Sequence, residues 1–229
     1  MPLSMADQIS AVITAFDLVG TFAFAISGAI LGKQKQYNFW GVLTLAFCTA
    51  LGGGTIRNVL VNLMPSVLEP DGWMYIACVL IASLLVYFAA DYLTFRSARI
   101  QASANRLLAR ADAVGLAVFV MIGATVALKI GLPFFGVIAF SALSGAGGGV
   151  IRDVIAGEKP YAFRGVHYIT WCVLGGAVAA LLRYERPILE PAMGGLAYKA
   201  VFALASPVII VALRFREINR EFPLENASA

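Results

Sequence analysis

The sequence predicts an all-α membrane protein of seven transmembrane helices, arranged as an inverted three-plus-three repeat with a seventh helix added. Three observations carry that prediction. Sixty per cent of the 229 residues are apolar and only 13% are charged, about half the roughly 25% of a soluble domain. The apolar residues fall into seven blocks of about twenty, the length at which an α-helix crosses a ~30 Å hydrocarbon core. Residues 17–60 also align without a gap on residues 112–155, always 95 positions apart, with fifteen of the 44 pairs identical.

Taken in order, the blocks are 8–32, 39–63, 73–93, 111–130, 134–157, 166–184 and 193–213. They are continuously apolar, whereas barrel strands alternate polar and apolar residues, so a helical bundle is expected. The first three blocks form one repeat, 8–93, and the next three a second, 111–184. Between them lies a basic, acid-free segment, 94–110, expected to be a cytoplasmic linker. Block 193–213 has no partner in the repeat, and 214–229 reads as a tail. No lysine or arginine precedes the first block, which is too long for a signal-peptide core, so no cleavage is expected.

Lys and Arg set the topology. With the N-terminus outside, eleven basic residues fall on cytoplasmic segments and only Lys129, Arg183 and Arg186 on the opposite ends. The positive-inside rule therefore places the N-terminus out and the C-terminus in. Each repeat holds an odd number of spans, so the two copies run through the membrane in opposite senses. The net charge of +4 is accounted for by topology and gives no reason to expect nucleic acid. Cys48, Cys78 and Cys172 lack metal-ligand spacing and read as small packing residues. No nucleophile elbow, zinc-protease or P-loop pattern is present, so neither an enzyme, a cofactor nor a metal is expected.

The chemistry concentrates at one element in each copy. The triplets Gly52-Gly53-Gly54 and Gly147-Gly148-Gly149 sit near the middle of their blocks, and each is followed by an arginine, Arg57 or Arg152. Glycine costs about 1 kcal/mol relative to alanine within a helix, which favours a break that would expose backbone dipoles near the midplane. The competing reading is close helix packing through small residues. An arginine at this depth costs at least ~2.5–3.5 kcal/mol and is expected to face the bundle interior or water. It would serve either the permeation path or the freed carbonyls beside a break. Asp153 follows Arg152, while Asn58 follows Arg57. Neighbouring residues on a helix do not face each other, so Arg152 is expected to find its partner elsewhere.

Asp17 and Asp112 head the two copies and read as carboxylates at helix starts, or as groups facing an ion path. Thr49, Thr55, Ser141 and Ser144 cluster around the triplets and could line a pore or bond their own backbone. Lys199 in the last block could gate, or snorkel to the interface. His167, the one histidine, reads as an interfacial hydrogen-bonding residue.

The pair GGGTIRN and GAGGGVIRD in a seven-span chain resembles the prokaryotic branch of the TRIC family, the trimeric intracellular cation channels, from about residue 10 to 213. The resemblance implies a homotrimer in the prokaryotic cell membrane, with a pore in each protomer between the repeat halves. It implies permeability to K⁺, and to Na⁺ as well, with kinked glycine segments in spans 2 and 5. The triplets, Arg57, Arg152 and Asp153 match the family pattern, and Asn58 departs from it. The animal members' charged motif in span 2, linked with lipid and voltage control, is not visible here, and contact with membrane lipid is expected of any such bundle. The alternative is a secondary transporter of a small solute such as an amino acid, since inverted repeats also serve alternating access. A scaffold would have no need to bury two arginines.

Overall fold

The computed structural model describes residues 5–92, 98–164 and 167–222, all helix, turn or loop with no strand among them. The helices are α1 (Met5–Gln34), α2 (Phe39–Leu60), α3 (Trp73–Tyr92), α4 (Ala98–Lys129), α5 (Phe134–Ile155), the single turn α6 (Tyr161–Arg164), α7 (Tyr168–Tyr184), α8 (Arg186–Met193) and α9 (Gly195–Glu221). Among the described residues, each predicted apolar block has most of its length on one of them. Five are long and apolar enough to cross a membrane: Ala11–Gln34, Phe39–Leu60, Gln101–Lys129, Phe134–Ile155 and Gly195–Glu221. Trp73–Ala89 and Tyr168–Tyr184 are shorter apolar helices.

The repeat governs where helices stop. α1 ends with Gln36 at φ 59° and α4 with Gly131 at φ 74°; α2 ends with Asn62 at φ 56° and α5 with Gly157 at φ 69°. These are pairs 95 positions apart, and the capping bonds match them. Tyr37 N–H donates to the Gly32 carbonyl as Leu132 N–H does to that of Ala127; Leu63 N–H donates to Asn58 as Glu158 N–H does to Asp153. A left-handed residue that turns the following N–H back onto the last turn is the usual way a helix satisfies its terminal carbonyls. Glycine adopts it without a Cβ penalty, while Gln36 and Asn62 hold it at some cost.

α1, α2, α4 and α5 form the centre of the bundle. α1 crosses α4 antiparallel, Gly20 lying under Val118 and Phe119 and Gly115 under Phe24. α3 covers α1 and α2, and α7 covers α5, while α9 lies across α4 and α7. The core contains Phe24, Phe119, Leu116, Val120 and Met121, with the rings of Phe24 and Phe119 stacked at 5.3 Å and 9° between planes.

Three sequence expectations change here. First, the helices do not break at the glycine triplets: α2 and α5 run as uninterrupted α-helix through Gly52–Gly54 and Gly147–Gly149. The glycines are used for approach. A Cβ on Gly53 would lie 2.9 Å from the Gly148 nitrogen and the Ser144 carbonyl, and one on Gly148 would lie 2.4 Å from the Thr49 carbonyl. Backbone meets backbone at this crossing, and the packing gained offsets the low helix propensity of glycine.

Second, the expected linker is helical from Ala98 and continuous with the fourth apolar block, in a helix of 32 residues. At 1.5 Å per residue that helix is about 48 Å long, well beyond a ~30 Å core. Its first turns are held by Gln34 to Asn105 at 2.7 Å and Arg110 to Asn219 at 2.9 Å. Residues 94–97 lie outside the described residues. Third, the expected tail continues α9 to Glu221 and packs on α4, with Arg106 donating to the Phe222 carbonyl; residues 223–229 lie outside the described residues.

Candidate functional site: two arginine clusters

Placing Arg152 within an apolar helix obliges the fold to surround it with acceptors, and it does so from three helices. The side chain is 2% exposed. Its Nη1 donates to Asp112 Oδ1 on α4 at 2.6 Å and to Ser27 Oγ on α1, and its Nε donates to Asp153 Oδ1 at 2.8 Å. The expectation that Arg152 pairs beyond its neighbour holds for Asp112 and fails for Asp153, because the long arginine side chain folds back to reach the adjacent carboxylate. Asp153 in turn accepts from Tyr161 N–H at 2.7 Å. Asp112 is corrected as well: with α4 beginning at Ala98, it lies deep in the helix rather than in its first turn, and is buried.

This cluster borders a cavity of about 500 Å³, whose wall includes Asp112, Arg152, Asp153, Glu158, Arg164 and Arg214. Arg214, from the unrepeated α9, is 1% exposed. Its guanidinium lies 5.1 Å from the ring of Tyr161 and 5.3 Å from that of Tyr168, and donates to Glu217 at 2.7 Å. Tyr161 O–H donates to Glu221, and burial pushes the Tyr161 hydroxyl up to about 12. Glu158 on the cavity wall, from the α5–α6 turn, meets Lys35 from the α1–α2 turn at 2.5 Å. That hydrogen bond and charge hold the Glu158 carboxyl below its ordinary value.

Arg57 occupies the equivalent position in the first copy with poorer company. It is 3% exposed, and its Nε donates to Asn58 Oδ1 at 2.9 Å, the same back-folded geometry as Arg152 to Asp153. Its Nη1 has no partner. Asn58 spends its amide on the Met64 carbonyl at 2.8 Å. Asp17, the counterpart of Asp112, accepts from Tyr75 O–H at 3.1 Å. Asp17, Thr55, Arg57 and Tyr75 share a cleft of only about 10 Å³, which Phe119 closes from within. Among the described residues no carboxylate lies within ion-pair distance of Arg57.

Between the clusters the polar groups are few. Thr49 Oγ1 bonds the Leu45 carbonyl and Ser141 Oγ that of Val137, both at 2.6 Å, so each is turned onto its own helix. Ser144 Oγ is buried without a partner. Gly28 packs on Thr49 and Gly123 on Ser144, again a pair 95 apart. Lys199 joins neither cluster; it lines a different cavity, with Lys129 and Arg183. His167 packs beside Trp171, ring centroids 5.4 Å apart with the planes tilted by 42°.

Sequence reasoning missed Arg214, Ser27, Tyr75 and the Lys35–Glu158 bridge. Arg214 had a visible signal, a third arginine one residue past an apolar block. Ser27 had none, because its partner in the repeat is Ile122.

A family model described as a glycine transporter matches residues 14–91 and again residues 109–184, ranges whose starts are the 95-residue offset of the repeat. The chain belongs to that family. Its relatives carry the name UPF0126 membrane protein: YvgT of Bacillus subtilis is 37% identical over 164 residues, covering 72% of this chain and 77% of that one. YadS of Escherichia coli K12, named an inner membrane protein, is 34% identical over 192 residues, 83% of this chain and 89% of that one. Among solved structures, a prokaryotic TRIC channel crystallised in 0.5 M KCl superposes with a TM-score of 0.80 at 27% identity, covering 94% of this chain and all of the other. The TRIC orthologue from Rhodobacter sphaeroides gives 0.68 at 30% identity, over 87% and 97%. The chain is thus a membrane protein related to the prokaryotic TRIC channels.

Proposed function

We propose that this protein is a monovalent-cation channel, permeable to K⁺ and Na⁺, with one path in each protomer of a homotrimer. The observation that carries the reading is the likeness to a prokaryotic TRIC channel over 94% of this chain, at 27% identity and a TM-score of 0.80. The path runs between the halves of an inverted three-plus-three repeat of seven spans. It enters by the Arg152 cavity at one end and the Arg57 cleft at the other. The glycine crossing of α2 and α5 and the stacked Phe24 and Phe119 lie between, so this arrangement is the closed one. Conduction requires the crossing of Gly53 on Gly148 to part. Thr49, Thr55, Ser141, Ser144 and the glycine triplets would then line the opening. Asp112 and Asp153 hold Arg152, and with Asp17, which accepts from Tyr75, they supply negative charge. The protein sits in the prokaryotic inner membrane with its N-terminus outside, the orientation that the distribution of Lys and Arg favours.

A second reading, transport of a small amino acid, is favoured by the description of the family model and by the mixed charge of the Arg152 cavity, which offers both a cation for a carboxylate and carboxylates for an amine. Purified protein in a planar bilayer under a KCl gradient separates the two. Discrete current steps reversing near the K⁺ Nernst potential are the expected result. Silence in the bilayer, together with saturable gradient-driven glycine uptake in liposomes, would replace the channel by the transporter.

A further inference from the structure

At the end of the bundle remote from Arg106, Arg110 and Arg220, basic residues are scarce, and apart from Arg57 they converge. Lys129 at the end of α4, Arg183 at the end of α7, Arg186 on α8 and Lys199 on α9 all line one cavity of about 280 Å³. Glu190 is the one carboxylate among its lining residues, and it is already held by Arg186 at 2.7 Å. The cavity therefore carries a surplus of positive charge at a place where topology selects against Lys and Arg. Its floor is apolar, formed by Leu128, Phe202 and the ring of Tyr198, whose hydroxyl is committed to the Leu182 carbonyl at 2.9 Å. Exposed Leu181, Leu196 and Val201 continue that floor down the flank of the bundle, and α8 presents exposed Ile188 and Met193 beside it.

We infer that this cavity is a binding site for the phosphate headgroup of an anionic glycerophospholipid. The cations take the phosphate, and the acyl chains run along the exposed apolar flanks of α7 and α9. A free phosphate would gain nothing from the apolar floor, whereas a lipid held at the interface uses both surfaces. Arginine and lysine are the residue types that recognise phosphate, by fork and by point charge respectively. The short helix α8, with Arg186 and Glu190 on one side and Ile188 opposite them, has the make-up of a segment lying in the headgroup plane. The assignment is independent of what the protein transports.

The test is native mass spectrometry of the full-length protein in detergent, titrated with phosphatidylglycerol or phosphatidylcholine. Phosphatidylglycerol is expected to bind at least tenfold more tightly, and Lys129→Gln/Arg183→Gln to abolish the preference. Arg216→Gln/Arg220→Gln, which removes the same charge at the other end, is expected to keep it. Equal binding of the two lipids by the unaltered protein would overturn the site, as would loss of preference in the control pair. Inorganic phosphate that displaces the lipid fully at millimolar concentration would overturn the lipid assignment. Should the first pair fail to fold, Lys199→Gln, an exposed position, is expected to lower the preference severalfold, and an unchanged preference in it would sink the proposal.

Discussion

Arg152 and Arg57 occupy equivalent places in the two copies, yet one is held by two carboxylates and a serine while the other has an asparagine and an unpartnered nitrogen. Asp112 and Asp17 are identical in the repeat, but Asp112 reaches its arginine and Asp17 instead accepts from Tyr75. The difference traces to position 58 against 153, and to Ser27, which the second copy replaces with Ile122. A buried ion pair is retained only where its desolvation is offset by good geometry. The comparison teaches that one end of the bundle is locked by charge and the other only plugged by packing, so under the proposed channel reading the Arg57 end is expected to open at lower cost.

The largest effect expected is from Arg152→Ala, which leaves Asp112 and Asp153 buried without their cation. Breaking such a pair costs about 3–5 kcal/mol, to be read from urea or thermal unfolding in detergent. Next comes Gly53→Ala. Its Cβ would meet backbone atoms at 2.9 Å, so overpacking of about 1–3 kcal/mol is expected. Were the triplet a broken segment free of contacts, alanine would stabilise by up to about 1 kcal/mol as a better helix former, and that opposite sign would refute the close crossing.

Arg57→Gln is predicted to cost about 1 kcal/mol, one hydrogen bond's worth, with increased open probability in bilayers. A loss equal to that of Arg152→Ala would erase the asymmetry. Asn58→Asp sharpens it further. The new carboxylate gains charge against Arg57, but its other oxygen faces the Met64 carbonyl that Asn58 now serves. The two offset, so stability should move by less than about 1 kcal/mol, while the K⁺ over Cl⁻ permeability ratio rises.

The smallest effect belongs to the Lys35–Glu158 bridge, which is solvent-screened. The Glu158 carboxyl is depressed from its ordinary value of 4.5. Its contribution is therefore present in full above that pH and is lost as pH falls through the lowered value. Glu158→Gln should remove that portion of the acid dependence measured by thermal unfolding between neutral pH and pH 3.

Much of this was legible in the residues themselves. Blocks of about twenty apolar residues force helices, since no other open structure satisfies its backbone in lipid. The 95-residue offset predicts that both copies adopt one local conformation, and the matched helix stops at Gln36, Gly131, Asn62 and Gly157 follow it. The paired arginines marked the site because an apolar helix cannot carry such a residue without surrounding it. What the chain could not declare was the meaning of three glycines in a row. A missing side chain permits either an unwound backbone or a close approach, and only the partner helix decides which. Here Gly148 lies against Gly53, so the helices stay whole. The partners Arg152 finds beyond its neighbour, and their lack at Arg57, were likewise tertiary. Ser27 on α1 and Asp112 on α4 are far from Arg152 in sequence, and their distances depend on how the helices cross, which no local pattern records.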